Sequence, residues 1–130
     1  MRLAKFEHVE PASLKEACAL LRKHGPKAAV IAGGTDLLVR LKYRLVQPEL
    51  IVNIKNVEGL GKIVVDGASL RVGALATIRD IRSSPVVSEF FPILTEAADS
   101  VAAPPLQNMG TLGGNLCLDT RCWYYNADAL

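Results

Sequence analysis

The sequence Lys27-Ala28-Ala29-Val30-Ile31-Ala32-Gly33-Gly34-Thr35-Asp36-Leu37-Leu38 carries the local signals that decide the fold. Residues 27–31 form a short apolar run that ends just before a glycine pair. After the glycines, leucines recur at helical spacing with basic residues between them, at Leu37, Leu38, Leu41 and Leu45. This order predicts a strand, a glycine turn and a helix.

Two further elements flank this unit. Ser13-Leu14-Lys15-Glu16 has the pattern of a capping box and Gly25-Pro26 supplies a stop, so we predict a helix over residues 13–24. Residues 50–54 have the composition of a buried strand. Residues 1–56 are therefore predicted to form a small βαβ-like subdomain, followed by a glycine-containing connector.

The remaining residues, 57–130, predict the start of a second α+β subdomain. Asp66-Gly67 lies between the apolar run 63–65 and the alternating run 70–72, which indicates a hairpin over residues 63–72. A capped helix is predicted to begin at Thr77, and another to cover residues 93–101 before Pro104-Pro105 stops it. The sequence ends after an aromatic cluster without a closing strand or helix, so we expect an incomplete domain.

Composition excludes several classes of protein. With 130 residues, 50% hydrophobic and 22% charged, the chain is neither disordered nor too small to bury a core. A net charge of +2, evenly scattered, argues against a nucleic-acid or anionic-membrane surface. No apolar run approaches the roughly 20 residues that span a bilayer, and the first residues lack a secretory pattern, so we expect a cytoplasmic protein without membrane insertion.

Two glycine pairs are the candidate ligand-binding features. Gly33-Gly34 lies between a predicted strand and a predicted helix, where backbone N–H groups can approach an anion. Thr111-Leu112-Gly113-Gly114-Asn115 is a second such segment, and together the two could clamp a pyrophosphate. Neither matches a dinucleotide or P-loop fingerprint, so a purely structural turn or bulge stays open for both. Asp36 is expected to cap a helix and to order the loop rather than to catalyse.

The cysteines and the terminal aromatic residues leave alternatives open. Cys18 falls on the apolar face of the first helix and is expected to be a core thiol. Cys117 and Cys122 are reduced thiols or part of an iron–sulfur or zinc site, which needs more ligands than these two. Trp123, Tyr124 and Tyr125 suit packing on a flavin, on a partner subunit or in a core.

The two glycine segments resemble the paired FAD-pyrophosphate loops in flavin subunits of the molybdenum hydroxylases, the xanthine dehydrogenase and carbon monoxide dehydrogenase group. The resemblance implies an α+β fold, the two-subdomain FAD-binding fold of the carbon monoxide dehydrogenase flavoprotein or PCMH type. It implies no catalytic side chain in this chain. The cofactor-binding residues that it implies are Ile31, Ala32, Gly33, Gly34, Thr35, Asp36, Leu37, Val101, Thr111, Gly113, Gly114, Asn115 and Tyr124.

Residues 117–126 are similar, more narrowly, to the 4-hydroxybenzoyl-CoA reductase branch of that family, which carries an extra [4Fe-4S] cluster. The resemblance then implies that Cys122 is the first cluster ligand and that the other ligands lie beyond residue 130. It implies an electron-transfer subunit that works with a molybdenum-cofactor subunit, a [2Fe-2S] subunit and a ferredoxin-like donor in the reductive dehydroxylation of an aromatic CoA thioester. The alternatives are a flavin subunit of a xanthine or carbon monoxide dehydrogenase-type hydroxylase, and a cofactor-free truncated assembly module.

Overall fold

A computed structural model describes residues 3–119, 122 and 124. The first half of the chain builds a three-stranded parallel sheet in the order β1-β3-β2. Two helices connect these strands. The elements are β1 (Glu7–Val9), α1 (Leu14–His24), β2 (Ala28–Ile31), α2 (Leu37–Lys42) and β3 (Leu50–Asn53).

Strand β3 is central because its sequence can be buried along its whole length. All four of its residues are buried, and its first residue, Leu50, pairs with both Glu7 of β1 and Ala28 of β2. Leu50, Ile51 and Val52 form the continuous apolar run that a buried parallel strand requires, and the polar Asn53 donates a hydrogen bond to Glu10 at 3.0 Å. Helix α1 closes one face by packing Ala17 against Leu50 and Val52.

The ends of helix α1 follow the predicted pattern with one difference. The Ser13 Oγ accepts the N–H of Glu16 at 3.2 Å, as expected of an N-cap. The Glu16 carboxylate reaches back to the N–H of Ala12 at 2.8 Å, one residue before the position in a standard capping box. Gly25 ends the helix with a φ of 54°, which a residue with a Cβ adopts at a cost.

The second half of the chain pairs a hairpin with short helices around a separate core. The hairpin is β4 (Ile63–Asp66) and β5 (Ser69–Val72). The helices are α3 (Ile78–Arg82), α4 (Pro85–Phe90), α5 (Pro92–Ser100), α6 (Pro104–Gln107) and α7 (Leu112–Leu116). Their buried core consists of Ile78, Ile81, Val87 and Ala98.

The hairpin and the start of α3 test two local predictions. The hairpin exists, but Asp66 still pairs with Ser69, so the two-residue turn is Gly67-Ala68, with Gly67 at a φ of 59°. The capping box at α3 is complete: Thr77 Oγ1 accepts the Asp80 N–H at 3.0 Å, and Asp80 accepts the Thr77 N–H at 2.9 Å. The prediction of a capped helix at Thr77 is therefore confirmed.

Three features of this half differ from the sequence-based prediction. Helix α4 was not predicted, nor was strand β1 in the first half. Pro104-Pro105 does not merely stop α5; it forms the first turn of α6, where a missing N–H costs no helical hydrogen bond. The second glycine pair was interpreted as a loop, but Gly113 and Gly114 lie inside α7.

Candidate functional site

The two glycine segments, far apart in sequence, contact each other. Gly33, in the β2–α2 loop, lies directly against the backbone carbonyl of Met109. A Cβ placed on Gly110 would lie 3.8 Å from Thr35 Oγ1 and 3.6 Å from Asn115 Nδ2. The structure thus brings together the two motifs that the sequence singled out.

The two glycines of the first segment serve different purposes. Gly33 permits close approach, because a Cβ there would overlap the Met109 carbonyl oxygen. Gly34 permits an unusual backbone conformation, with a φ of 76°. L-residues with a side chain rarely adopt this conformation. The β2–α2 loop therefore needs both glycines for its geometry.

Four backbone N–H groups in this loop make no hydrogen bond to any residue that the structure describes. In the part of the chain that the structure describes, no hydrogen bond uses the N–H groups of Gly33, Gly34, Thr35 or Leu37. Unpaired N–H groups at the start of a helix attract anions. They lie at the carboxyl end of β2, the sheet edge where α/β proteins bind their ligands.

Asp36 occupies the N-cap position of α2, but it does not cap in the predicted manner. Its backbone is already helical, with a φ of −97° and a ψ of −54°, and its side chain makes no capping hydrogen bond to the helix. An N-cap side chain normally reaches the N2 or N3 N–H from an extended backbone. The backbone conformation therefore explains why the expectation of side-chain capping by Asp36 was wrong.

The second glycine segment uses its backbone donors internally. Leu112 and Gly113 donate to the carbonyls of Ala76 and Ala74 at 2.8 and 2.9 Å. The Gly114 N–H donates to Thr111 Oγ1 at 3.2 Å, so Thr111 is the N-cap of α7. A Cβ on Gly113 would lie 2.9 Å from Ala74, which makes this glycine a packing requirement. What α7 offers a ligand is its side chains and the open surface at Gly114.

A groove of about 150 Å³ lies where the two segments meet. Besides residues already predicted, it contains several that sequence reasoning missed. Its lining comprises Ala32, Gly33, Lys55, Leu75, Thr77, Asn108, Met109 and Thr111. Lys55 could have been found from the strand register, because β2 and β3 end together at the pair Ile31 and Asn53.

The other predicted site residues lie outside this lining. Val101 follows α5 and packs against the core of the second half, and its carbonyl accepts a hydrogen bond from Gln107 at 2.9 Å. Tyr124 is 96% exposed. Cys117 and Cys122 are exposed. Within residues 3–119, 122 and 124, no three His, Cys, Asp or Glu side chains form a group that could hold a metal ion.

One perturbed side chain lies at the opposite edge of the parallel sheet. The hydrogen bond that the Lys27 ammonium group donates to Glu49, and then the charge of Glu49, raise the pKa of Lys27, whose Nζ lies 2.9 Å from the carboxylate. Both residues precede strands, so this exposed pair does not bear on the groove. Over the described residues, no helix is both long and apolar enough to cross a membrane.

Comparisons with known proteins agree on one family. The family described as "FAD binding domain in molybdopterin dehydrogenase" matches residues 4–128. The carbon monoxide dehydrogenase medium chain of Hydrogenophaga pseudoflava is 39% identical over 112 residues, which is 86% of this chain and 39% of that one. The nicotinate dehydrogenase FAD-subunit of Eubacterium barkeri is 37% identical over 112 residues, 85% of this chain and 38% of that one.

The solved structures show the same relationship. Carbon monoxide dehydrogenase from Hydrogenophaga pseudoflava superposes with a TM-score of 0.86 at 39% identity, over 89% of this chain and 40% of that one. This confirms the predicted α+β FAD-binding fold. The chain spans about two-fifths of the length of the relatives it matches.

Proposed function

Because the chain belongs to the family of FAD-binding domains of molybdopterin dehydrogenases, we propose that it binds FAD in the groove between Gly33 and Thr111. Its role is that of the electron-transfer flavin portion of a molybdenum-containing oxidoreductase. The observation that carries the proposal is the row of unpaired backbone N–H groups at Gly33, Gly34, Thr35 and Leu37.

The residues present fit the cofactor. A diphosphate needs several donors, and the β2–α2 loop has four unpaired backbone N–H groups, two of them on glycines without a side chain. FAD supplies the redox chemistry when bound, and the protein binds and orients it. No side chain is assigned as a general acid, base or nucleophile.

The proposed contact set extends beyond the unpaired donors. On the first segment it comprises Ile31 to Leu37. On the second, Thr111 and Asn115 add side-chain groups, Gly114 leaves the exposed surface of α7 without a side chain, and Gly113 lets α7 pack closely on Ala74. Tyr124, with its ring exposed, and Val101, at the end of α5, complete the set.

We propose a subdomain boundary close to residue 56. The parallel sheet and its core lie before this point, and the hairpin with its own core lies after it. The groove lies where the two parts meet, since its lining draws on both. For the whole protein we propose a cytoplasmic complex with a molybdenum-cofactor subunit and a [2Fe-2S] subunit.

Loop geometry provides the test of FAD binding. We expect calorimetry to show FAD binding by the 130-residue chain, and Gly34→Ala to weaken it at least about tenfold, because a Cβ at positive φ strains the backbone that presents the donors. Gly59→Ala is the matched control: its φ is 80° and nothing lies within 4 Å of the added Cβ.

Two outcomes would contradict this assignment. Equal FAD affinity in Gly34→Ala and Gly59→Ala would place the binding site elsewhere. No binding by the unmodified chain would favour the alternative of a cofactor-free assembly module.

The finer proposal places the protein in the 4-hydroxybenzoyl-CoA reductase branch, with Cys122 as a [4Fe-4S] ligand. Its support is the sequence of residues 117–126 and the exposure of both thiols, Cys117 and Cys122. The competing assignment is a hydroxylase-type dehydrogenase without this cluster. The names of the relatives, dehydrogenases of carbon monoxide and of nicotinate, favour it.

Iron content separates the two assignments. If Cys122 holds a [4Fe-4S] cluster, Cys122→Ser should lower the iron content of the assembled enzyme by about four atoms per flavin subunit. Cys18→Ser is the control, since Cys18 is half-buried in α1. Unchanged iron in Cys122→Ser would support the hydroxylase type.

A further inference from the structure

Among the residues that the structure describes, Lys55 is the one charged residue that lines the groove. Among the described residues, no carboxylate lies within ion-pair distance of its ammonium group. It lines the same groove as Gly33, whose N–H makes no hydrogen bond among the described residues. The groove therefore combines the positive charge of Lys55 with the unpaired N–H of Gly33, and no described carboxylate lines it.

The position of Lys55 follows from the strand register. Strands β2 and β3 run parallel and end at the pair Ile31 and Asn53, and the Ile54 N–H donates to the Ile31 carbonyl at 3.1 Å. Gly33 lies two residues beyond Ile31, and Lys55 lies two residues beyond Asn53. Both residues therefore leave the sheet at the same edge.

A polar cluster built around the buried Asn53 holds the turn that carries Lys55. Asn53, only 9% exposed, accepts the Lys55 N–H on its Oδ1 at 3.1 Å and donates from its Nδ2 to Glu10 at 3.0 Å. The second oxygen of Glu10 accepts from Asn56 at 2.9 Å. Glu10 thus bridges two amides, one on each side of Lys55, and its oxygens are taken up by them rather than by the ammonium group.

We infer that Lys55 is a cofactor-binding residue whose ammonium group pairs with the FAD diphosphate. The inference rests on the proposed FAD site and adds a side chain that the two glycine motifs do not include. Backbone N–H groups orient an anion, while a lysine ammonium acts as a point charge that strengthens binding and makes it salt-sensitive. The Glu10–Asn53–Asn56 cluster positions the lysine by fixing its backbone.

The test compares charge removal at two exposed lysines. Lys55→Gln should weaken FAD binding by the 130-residue chain about five- to tenfold and reduce its dependence on salt, while Lys55→Arg should restore most of the affinity. Lys62→Gln removes the same charge beside the hairpin and should bind as the unmodified chain does. ADP should show the same loss as FAD with Lys55→Gln, and riboflavin, which has no phosphate, should show none.

The outcomes separate this inference from the proposed function. FAD binding by the unmodified chain, with Lys55→Gln equal to Lys62→Gln, would overturn the role of Lys55 and leave the FAD site intact. An equal loss of FAD and riboflavin affinity in Lys55→Gln would also overturn it, because the lost interaction would then not be with the diphosphate. Absence of FAD binding in the unmodified chain would overturn the proposed function and this inference together.

Discussion

Gly33→Ala should abolish measurable FAD binding and lower the free energy of unfolding by about 3 kcal/mol. The added Cβ would overlap the backbone carbonyl oxygen of Met109, which cannot rotate away as a side chain could. The β2–α2 loop and the segment before α7 would have to separate. Separation would open the groove and displace the unpaired donors of the loop.

Gly61→Ala is the matched control for this substitution. It makes the same chemical change at a glycine with no atom within 4 Å of the new Cβ and no positive φ. Its stability should stay within about 0.5 kcal/mol of the unmodified chain. Urea denaturation measures the stability, and calorimetry measures the FAD affinity. A Gly33→Ala variant as stable as Gly61→Ala would mean that the two segments do not pack as described.

The first glycine segment could be predicted because its signals are local. Residues 27–45 switch from a short apolar run to helical periodicity, and the structure contains the corresponding strand, turn and helix in this order. The predicted helix was too long, since α2 ends at Lys42, while Leu45 is 50% exposed. Periodicity indicates which face of a helix is apolar, but burial decides where the helix ends.

The second glycine segment was harder to predict because a Gly-Gly pair usually disfavours a helix. Here Thr111 caps α7, and Gly113 is required by its contact with Ala74, a residue distant in sequence. The packing requirement outweighs the cost of glycine in a short helix. Thr111, three residues before Gly114, is a possible N-cap. However, no local feature of the sequence distinguishes a capped helix from a loop at this segment.

Lys55 and strand β1 show a second limit of sequence reasoning. A strand of three residues carries too few positions for a periodicity to be visible, yet β1 sets the edge of the sheet. Lys55 belongs to the groove only because β2 and β3 pair in one particular register. Strand pairing is long-range, so such a residue becomes evident only when the topology is known.

Gln107→Leu should lower the free energy of unfolding by about 3 kcal/mol through the loss of a buried hydrogen-bond network. Gln107 is 3% exposed, and its Nε2 donates to the carbonyls of Asp99 and Val101 at 3.2 and 2.9 Å. Its Oε1 accepts from Arg82 at 2.9 Å. Leucine has a similar volume but would leave the carbonyls at the end of α5 and the Arg82 guanidinium without this partner.

Asn108→Leu makes the same amide-to-leucine change at the adjacent, exposed residue and should cost less than about 0.5 kcal/mol. Equal stability of Gln107→Leu and Asn108→Leu in urea denaturation would contradict the network's role.

The Gln107→Leu substitution should also change the shape of the groove. Gln107 lies two residues before Met109, the residue whose carbonyl contacts Gly33, and it ties that segment to the core of the second half. A buried amide outside the groove therefore holds one of its walls in place, so Gln107→Leu should weaken FAD binding as well as folding.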